Sequence, residues 1–267
     1  MSPHYAFEAK KSLGQNFLQD TNVARKIVAQ LELCPSDRVV EIGPGPGMLT
    51  RLILEAGPRR FVALEKDRNW AGELMRECAG VDVVNTDALA FAWERVGAGP
   101  DGPAWKIAGN LPYNVASPLM WEIVSRVGGL TRAVFMVQKE VGQRLCAAPG
   151  SKTYGALSVW VQSFARVRMA FVVGPSVFRP RPKVDSAVMV FSPLPEAGAP
   201  FDARALSLLL KRCFQNRRKQ LQTILKSCWS EEVEALLEGF GANGMSRPEA
   251  LSPTCFQGLA NNVKIGI

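Results

Sequence analysis

The sequence predicts an α/β protein: a mostly parallel sheet with an antiparallel edge strand, followed by a small α-helical domain. Three observations lead there. Short β-branched runs alternate with helical patterns through the first half of the chain. The first of these runs ends in a glycine-rich turn that opens a helix. Beyond a proline-rich stretch near residue 195 only helical patterns remain. A chain of 267 residues has room for one large domain and a small appendage. Its 47% hydrophobic and 21% charged content is that of a globular protein.

In chain order, the strand candidates are Arg38–Gly43, Arg60–Glu65, Val81–Asn85, Trp105–Gly109 and Arg132–Gln138. Helical patterns lie between most of them, near Met48–Ala56, Asn69–Ala79 and Pro118–Val127. A further helical stretch, Ala156–Phe164, precedes two more strands, Val167–Val173 and Ala187–Phe191. The segment Phe178-Arg-Pro-Arg-Pro-Lys-Val184 between those strands is too rigid and too short for a crossover helix, so they are expected to pair antiparallel at the sheet edge. Pro193-Leu-Pro-Glu-Ala-Gly-Ala-Pro200 reads as a linker, and Ala203–Gln215, Gln220–Ser227 and Glu231–Phe240 have helical character. The expected division is therefore a sheet domain at 1–193, a linker at 194–200 and a helical domain at 201–267.

Composition narrows the chemistry. No apolar run reaches the roughly 18–20 residues that cross a bilayer. The N-terminus, with Glu8 and no apolar core, does not resemble a secretory signal. A cytoplasmic monomer without membrane contact is expected. The six cysteines (Cys34, Cys78, Cys146, Cys213, Cys228, Cys255) form no CxxC pair, so they read as reduced packing residues. His4 is the sole histidine, which argues against histidine bases and against a metal site. The net charge of +8 is strongly segregated. No acid lies between Glu140 and Asp185 or between Asp202 and Glu231, and each interval carries seven Lys or Arg residues. The rest of the chain holds more acids than bases. Two such stretches suit a polyanion, because every phosphate neutralised releases counterions. One alone would read as a solvated face.

Val39-Val-Glu-Ile-Gly43-Pro-Gly45-Pro-Gly47 is an apolar strand entering a glycine turn. Its glycines let the backbone pass close beneath a ligand. Pro44 and Pro46 carry no N–H, which makes the turn a poor cradle for pyrophosphate. The amino-acid part of S-adenosylmethionine suits it better, with a dinucleotide site or a structural turn as the alternatives. Glu65, ending the second strand, can accept both hydroxyls of a ribose. Asp87, after the third, can accept from an adenine amine. Helix capping or simple solvation is the plain alternative for each carboxylate. Glycine, Glu and Asp at three successive strand ends, where open α/β sheets bind ligands, favour the cofactor.

Lys106-Ile-Ala-Gly-Asn110-Leu-Pro-Tyr113 carries the chemistry. The exocyclic N6 of adenine is a weak nucleophile because its lone pair is delocalised into the ring. Two acceptors aimed at its hydrogens favour the more tetrahedral geometry that attacks a methyl sulfonium. The Asn110 side-chain oxygen and the Leu111 carbonyl can serve, with Pro112 stiffening the loop. Tyr113 can stack on a base held out of its helix. Phe178 is a candidate second ring beside Arg179, Arg181 and Lys183, or else a core residue.

The segments Lys11–Leu18, Val40–Gly47, Asn110–Pro118, Met136–Val141 and Phe178–Ser186 together resemble the KsgA/RsmA-type ribosomal RNA adenine dimethyltransferases. Phe214-Gln-Asn-Arg-Arg-Lys-Gln-Leu221 matches more weakly. The resemblance implies a Rossmann-like class I S-adenosylmethionine-dependent methyltransferase fold. It places Asn16, Leu18, Gly43, Gly45, Glu65, Asp87 and Asn110 in the cofactor pocket, and Asn110, Leu111, Pro112, Tyr113 and Phe178 at the target adenine. The implied substrate is two adjacent adenines in the 3′-terminal hairpin loop of 16S rRNA, within an immature 30S subunit. Arg217, Arg218 and Lys219, with the three basic residues after Phe178, are the expected RNA contacts. An Erm-like enzyme acting on large-subunit RNA shares the fold and is the nearest alternative. A non-catalytic assembly factor is the other.

Overall fold

A computed structural model of the chain describes residues 9–10, 13–97, 105–194 and 200–263. These residues form two compact units, residues 1–142 with 167–193 and residues 143–166 with 194–267.

The first unit holds β1 (Phe17–Leu18), α1 (Thr21–Ala29), β2 (Arg38–Ile42), α2 (Met48–Glu55), β3 (Arg60–Glu65), α3 (Arg68–Glu77), β4 (Asp82–Asn85), β5 (Trp105–Asn110), α4 (Ala116–Arg126) and β6 (Leu130–Gln138). α5 (Lys139–Leu145) crosses into the second unit, and β7 (Ala165–Val173), β8 (Phe178–Arg179) and β9 (Ser186–Pro193) return to the first. Seven strands form one sheet in the order β4-β3-β2-β5-β6-β9-β7. β2 pairs in parallel with both β3 and β5, whose successors β4 and β6 extend the sheet outward on either side. The strand order thus reverses between β2 and β5, the crevice where such sheets hold ligands. β9 runs antiparallel to β6. The antiparallel strand is therefore second from the edge, with β7 outermost.

Both sheet faces are covered, so the central strands are apolar throughout rather than alternating. Val39, Phe61, Ala108, Val134 and Val188 pack on one face with Ile27 of α1 and Ile53 of α2. Their neighbours Val40, Val62, Ile107, Phe135 and Met189 are buried as well. α1 lies outside the helices expected from sequence, although Asp20 caps it through the Asn22 and Val23 N–H groups. β1 and β8, also unexpected, form a separate antiparallel ribbon that pairs Phe17 with Arg179 and Leu18 with Phe178.

The second unit contains α6 (Ala156–Phe164), α7 (Ala203–Gln215), α8 (Leu221–Ile224), α9 (Glu231–Gly239) and α10 (Pro253–Asn262). Its core includes Trp160, Leu206, Leu210, Leu237, Phe256 and Leu259. The Tyr154 hydroxyl donates to the Leu251 carbonyl at 2.8 Å, and Phe214 meets both Tyr154 and Phe256 edge-on or tilted. The sequence placed α6 inside the sheet domain, as a crossover helix would be. The structure groups it with helices beyond residue 200, because its apolar surface finds its partners in α7 and α10. Residues 195–199 of the expected linker lie outside the described residues, as does His4.

Candidate active site

A cleft of about 870 Å³, open solvent included, lies at the carboxyl ends of β2, β3 and β5. Asn16, Gly43, Gly45, Glu65, Asp87, Asn110, Leu111, Pro112 and Tyr113 all line it. These nine predicted site residues therefore share one cavity.

The floor is the glycine turn. The Gly43 N–H donates to the Leu64 carbonyl at 2.9 Å and the Gly47 N–H to the Pro44 carbonyl at 3.0 Å. The Gly45 N–H donates to Glu65 Oε2 at 2.9 Å. With prolines at 44 and 46, the turn has no N–H left for a phosphate, and the dinucleotide alternative loses its physical basis. A Cβ on Gly43 would meet no protein atom within 4 Å. The glycine thus leaves that space open where the residue borders the cleft.

Glu65 is buried, and Oε1 accepts the Asp67 N–H at 2.7 Å. Burial pushes its carboxyl above the usual range, while the Asp67 and Gly45 N–H groups pull the other way. Each oxygen keeps acceptor capacity for a hydroxyl donor. At the next strand end, Asp87 takes the Lys66 ammonium at 2.7 Å and the Leu89 N–H at 3.0 Å, which hold its carboxyl below the ordinary value. Beneath the turn lies a group the sequence reading passed over. Glu41 is fully buried, accepts the Thr50 hydroxyl at 2.7 Å, and is pushed by burial up to about 8.

Asn110 ends β5. Its side-chain nitrogen donates to the Asn16 carbonyl at 2.8 Å. A carbonyl can only accept, so this bond sets which end of the amide is which and leaves Oδ1 as its free atom. The Leu111 N–H is spent on the Met136 carbonyl of β6 at 3.1 Å. Among the described residues, neither Asn110 Oδ1 nor the Leu111 carbonyl accepts a hydrogen bond. The Pro112 carbonyl accepts from Val115 and Ala116 and so starts α4. Tyr113 is half-buried, its hydroxyl 2.9 Å from Ser186 Oγ, and burial raises its phenol.

Two expected site residues lie elsewhere. Leu18 and Phe178 do not line the cleft. They face each other across the β1–β8 ribbon and are buried, at 4% and 5% exposure, in the core cluster beside Ala24 and Val188. Phe178 thus takes the core role that was its alternative, because pairing with β1 turns the ring inward. Arg179, Arg181 and Lys183 are exposed, and Arg179 sits opposite Phe17, which lines the cleft. In the second unit Arg218 and Lys219 are exposed. Arg217 is committed internally, to the Glu249 carboxylate and the Ser151 and Lys152 carbonyls. Its guanidinium staples a loop to the end of α7, a role its charge gave no hint of.

The cleft also contains residues that only the fold brings there: Leu13, Gly14, Gln15, Phe17, Lys66 and Thr86. Among the described residues no group of three His, Cys, Asp or Glu side chains could hold a metal ion. No described helix is long and apolar enough to cross a membrane. The residues fit S-adenosylmethionine: an acceptor at the β3 end for a ribose, an acid at the β4 end for an amine, and a turn with no anion-binding N–H.

Comparison with known proteins points the same way. The family model for ribosomal RNA adenine dimethylase matches residues 6–251. The ribosomal RNA small subunit methyltransferase A of Oleidesulfovibrio alaskensis is 57% identical, covering 95% of this chain and 90% of its own. A dimethyladenosine transferase from Plasmodium falciparum superposes with a TM-score of 0.75 at 24% identity, over 90% of this chain and 94% of the other. The 23S rRNA methyltransferase ErmE does so at 0.68 and 24%, over 92% and 99%. These two structures establish the shared fold.

Proposed function

The chain belongs to the ribosomal RNA adenine dimethylase family, and on that premise we propose that it transfers methyl groups from S-adenosylmethionine to N6 of two adjacent adenines in the 3′-terminal hairpin loop of 16S rRNA. The substrate is the immature 30S subunit, and the enzyme acts as a cytoplasmic monomer without a metal. The observation that carries this reading is the pair of free acceptors, Asn110 Oδ1 and the Leu111 carbonyl, in a cleft beside Tyr113.

When bound, S-adenosylmethionine would supply an electrophilic sulfonium methyl whose leaving group is a neutral thioether. Glu65 would accept its ribose hydroxyls, and Asp87 would accept from its adenine amine. Tyr113 stacks on the target base, its ring held by the Ser186 hydroxyl. Asn110 Oδ1 and the Leu111 carbonyl accept the two N6 hydrogens, draw the nitrogen out of conjugation and aim its lone pair at the methyl. The methylated nitrogen then gives its proton to solvent, so no strong base is needed. The relatives' names favour the small subunit over an Erm-like large-subunit target.

The test is to incubate the pure protein with unmethylated small subunits and with naked large-subunit RNA, and to map the nucleotides that gain methyl groups. Dimethylation of two neighbouring adenines near the small-subunit 3′ end is expected. Modification of large-subunit RNA alone would transfer the assignment to the Erm-like type. Asn110→Ala is expected to bind subunits nearly as well as wild type while losing about a hundredfold or more in rate.

A further inference from the structure

Asp67 takes no part in lining the cleft, yet two of the cleft's parts and the start of α3 meet on it. Its carboxylate is 1% exposed. Oδ1 accepts the Lys10 ammonium at 2.9 Å and the Asn69 N–H at 3.1 Å, the latter capping α3. Oδ2 accepts the Gln15 side-chain amide at 3.3 Å. The Gln15 amide oxygen in turn accepts the Lys10 N–H at 2.7 Å. Asp67's own N–H donates to Glu65 Oε1. One residue therefore joins the ribose-binding carboxylate, the start of α3 and the segment 13–17.

That segment forms a wall of the cleft through Leu13, Gly14, Gln15, Asn16 and Phe17. The Phe17 ring packs edge-on against Trp70 of α3, 5.3 Å between centroids. The Asn16 carbonyl is the acceptor that sets the Asn110 amide. We propose that Asp67 is a positioning residue: by gripping Lys10 and Gln15 it holds segment 13–17 in place, and so sets both cofactor affinity and the facing of the Asn110 amide. The inference rests on the assignment of the cleft to S-adenosylmethionine. Its physical basis is that a carboxylate taken out of water needs donors. The donors recruited here are carried by the segment to be held. Burial raises the Asp67 carboxyl, and Lys10, Asn69 and Gln15 more than offset it. Lys10 is 47% exposed, so its removal leaves two donors on Asp67 and spares the fold.

The experiment uses full-length Lys10→Ala, Asp67→Asn, their double variant and Lys10→Arg. Asparagine keeps an oxygen for the α3 cap. Three quantities are measured: the Kd for S-adenosylmethionine by calorimetry, the methylation rate on unmethylated subunits at saturating cofactor, and the melting temperature. Lys10→Ala is expected to weaken cofactor binding about tenfold and to slow the saturated rate several-fold. The KM for subunits and the melting temperature should hold. Lys10→Arg should restore most of both losses, and the double variant should be no worse than the poorer single one. Wild-type affinity and rate in Lys10→Ala, or fully additive losses in the double variant, would overturn the proposal while leaving the cleft assignment standing. A wild-type protein that binds no S-adenosylmethionine would instead bring down the cleft assignment and this inference with it.

Discussion

Glu41 illustrates how a site constrains a residue that no ligand can touch. It lies on β2 between Ala63 and Ala108 of the neighbouring strands, with Thr50 its hydrogen-bonding partner. Burial with a single hydroxyl donor pushes its carboxyl to about 8, with the Glu65 charge adding to the rise. A folded-state value above the unfolded one means the protonated carboxyl's contribution to stability is complete below pH about 4.5. It then declines as pH rises toward 8. The loss by pH 7 is of order 3 kcal/mol. Wild type is expected to lose melting temperature steadily from pH 5 to 8, and Glu41→Gln to flatten that decline. Melts across the interval decide it: an unchanged slope in the variant would place the titration elsewhere. Burial likewise pushes up the thiols of Cys213, to about 12, and Cys255, to about 11.

At the scale of elements, the glycine turn and the β1–β8 ribbon depend on each other. Gly45 has φ +51°, and a Cβ there would lie 2.9 Å from the Phe17 ring. Gly45→Ala therefore incurs about 1–2 kcal/mol of left-handed strain and also drives Phe17 away from Trp70. Its expected signature is a loss of S-adenosylmethionine affinity larger than the loss of stability, read by titration calorimetry beside thermal melts. A variant that only melts earlier would mean the ring has somewhere else to go. The ribbon also explains Phe178. Its sequence context of alternating prolines and bases looks like an exposed loop, but two residue pairs with β1 turn the ring into the core.

Across the whole molecule, the two basic stretches do not act as uniform patches. Arg179, Arg181, Lys183, Arg218 and Lys219 are exposed, whereas Arg217 is held by Glu249 and two carbonyls. Charge reversal at Arg218 and Lys219 is expected to weaken subunit binding and to lower the magnitude of the log-log salt slope by about 2, with the melting temperature unchanged. Arg217→Ala is expected to behave oppositely, with about 1–3 kcal/mol of stability lost through the orphaned carboxylate and carbonyls and little change in salt slope. Filter binding at several salt concentrations beside thermal melts separates the two. An equal slope change from Arg217→Ala would mean its guanidinium reaches RNA after all.

The strands, the glycine turn and the strand-end residues Glu65, Asp87 and Asn110 were legible in the sequence. They are written in local patterns: apolar runs that need covering on both faces, prolines that remove donors, and acids placed where a strand stops. Asn110-Leu-Pro-Tyr113 was legible as a turn at a strand end for the same reason, and all four residues line the cleft. What the sequence left open was partnership over long distances. Asn16 anchors Asn110 across 94 residues, Lys10 reaches Asp67 across 57, and α6 packs with helices beyond residue 200. Periodicity says that a surface must be buried and a charge must be paired, but every apolar face and every opposite charge is an eligible partner. Tertiary structure alone made that choice, drawing Phe178 and Leu18 into the core, spending Arg217 as a staple, and bringing segment 13–17 to the wall of the cleft.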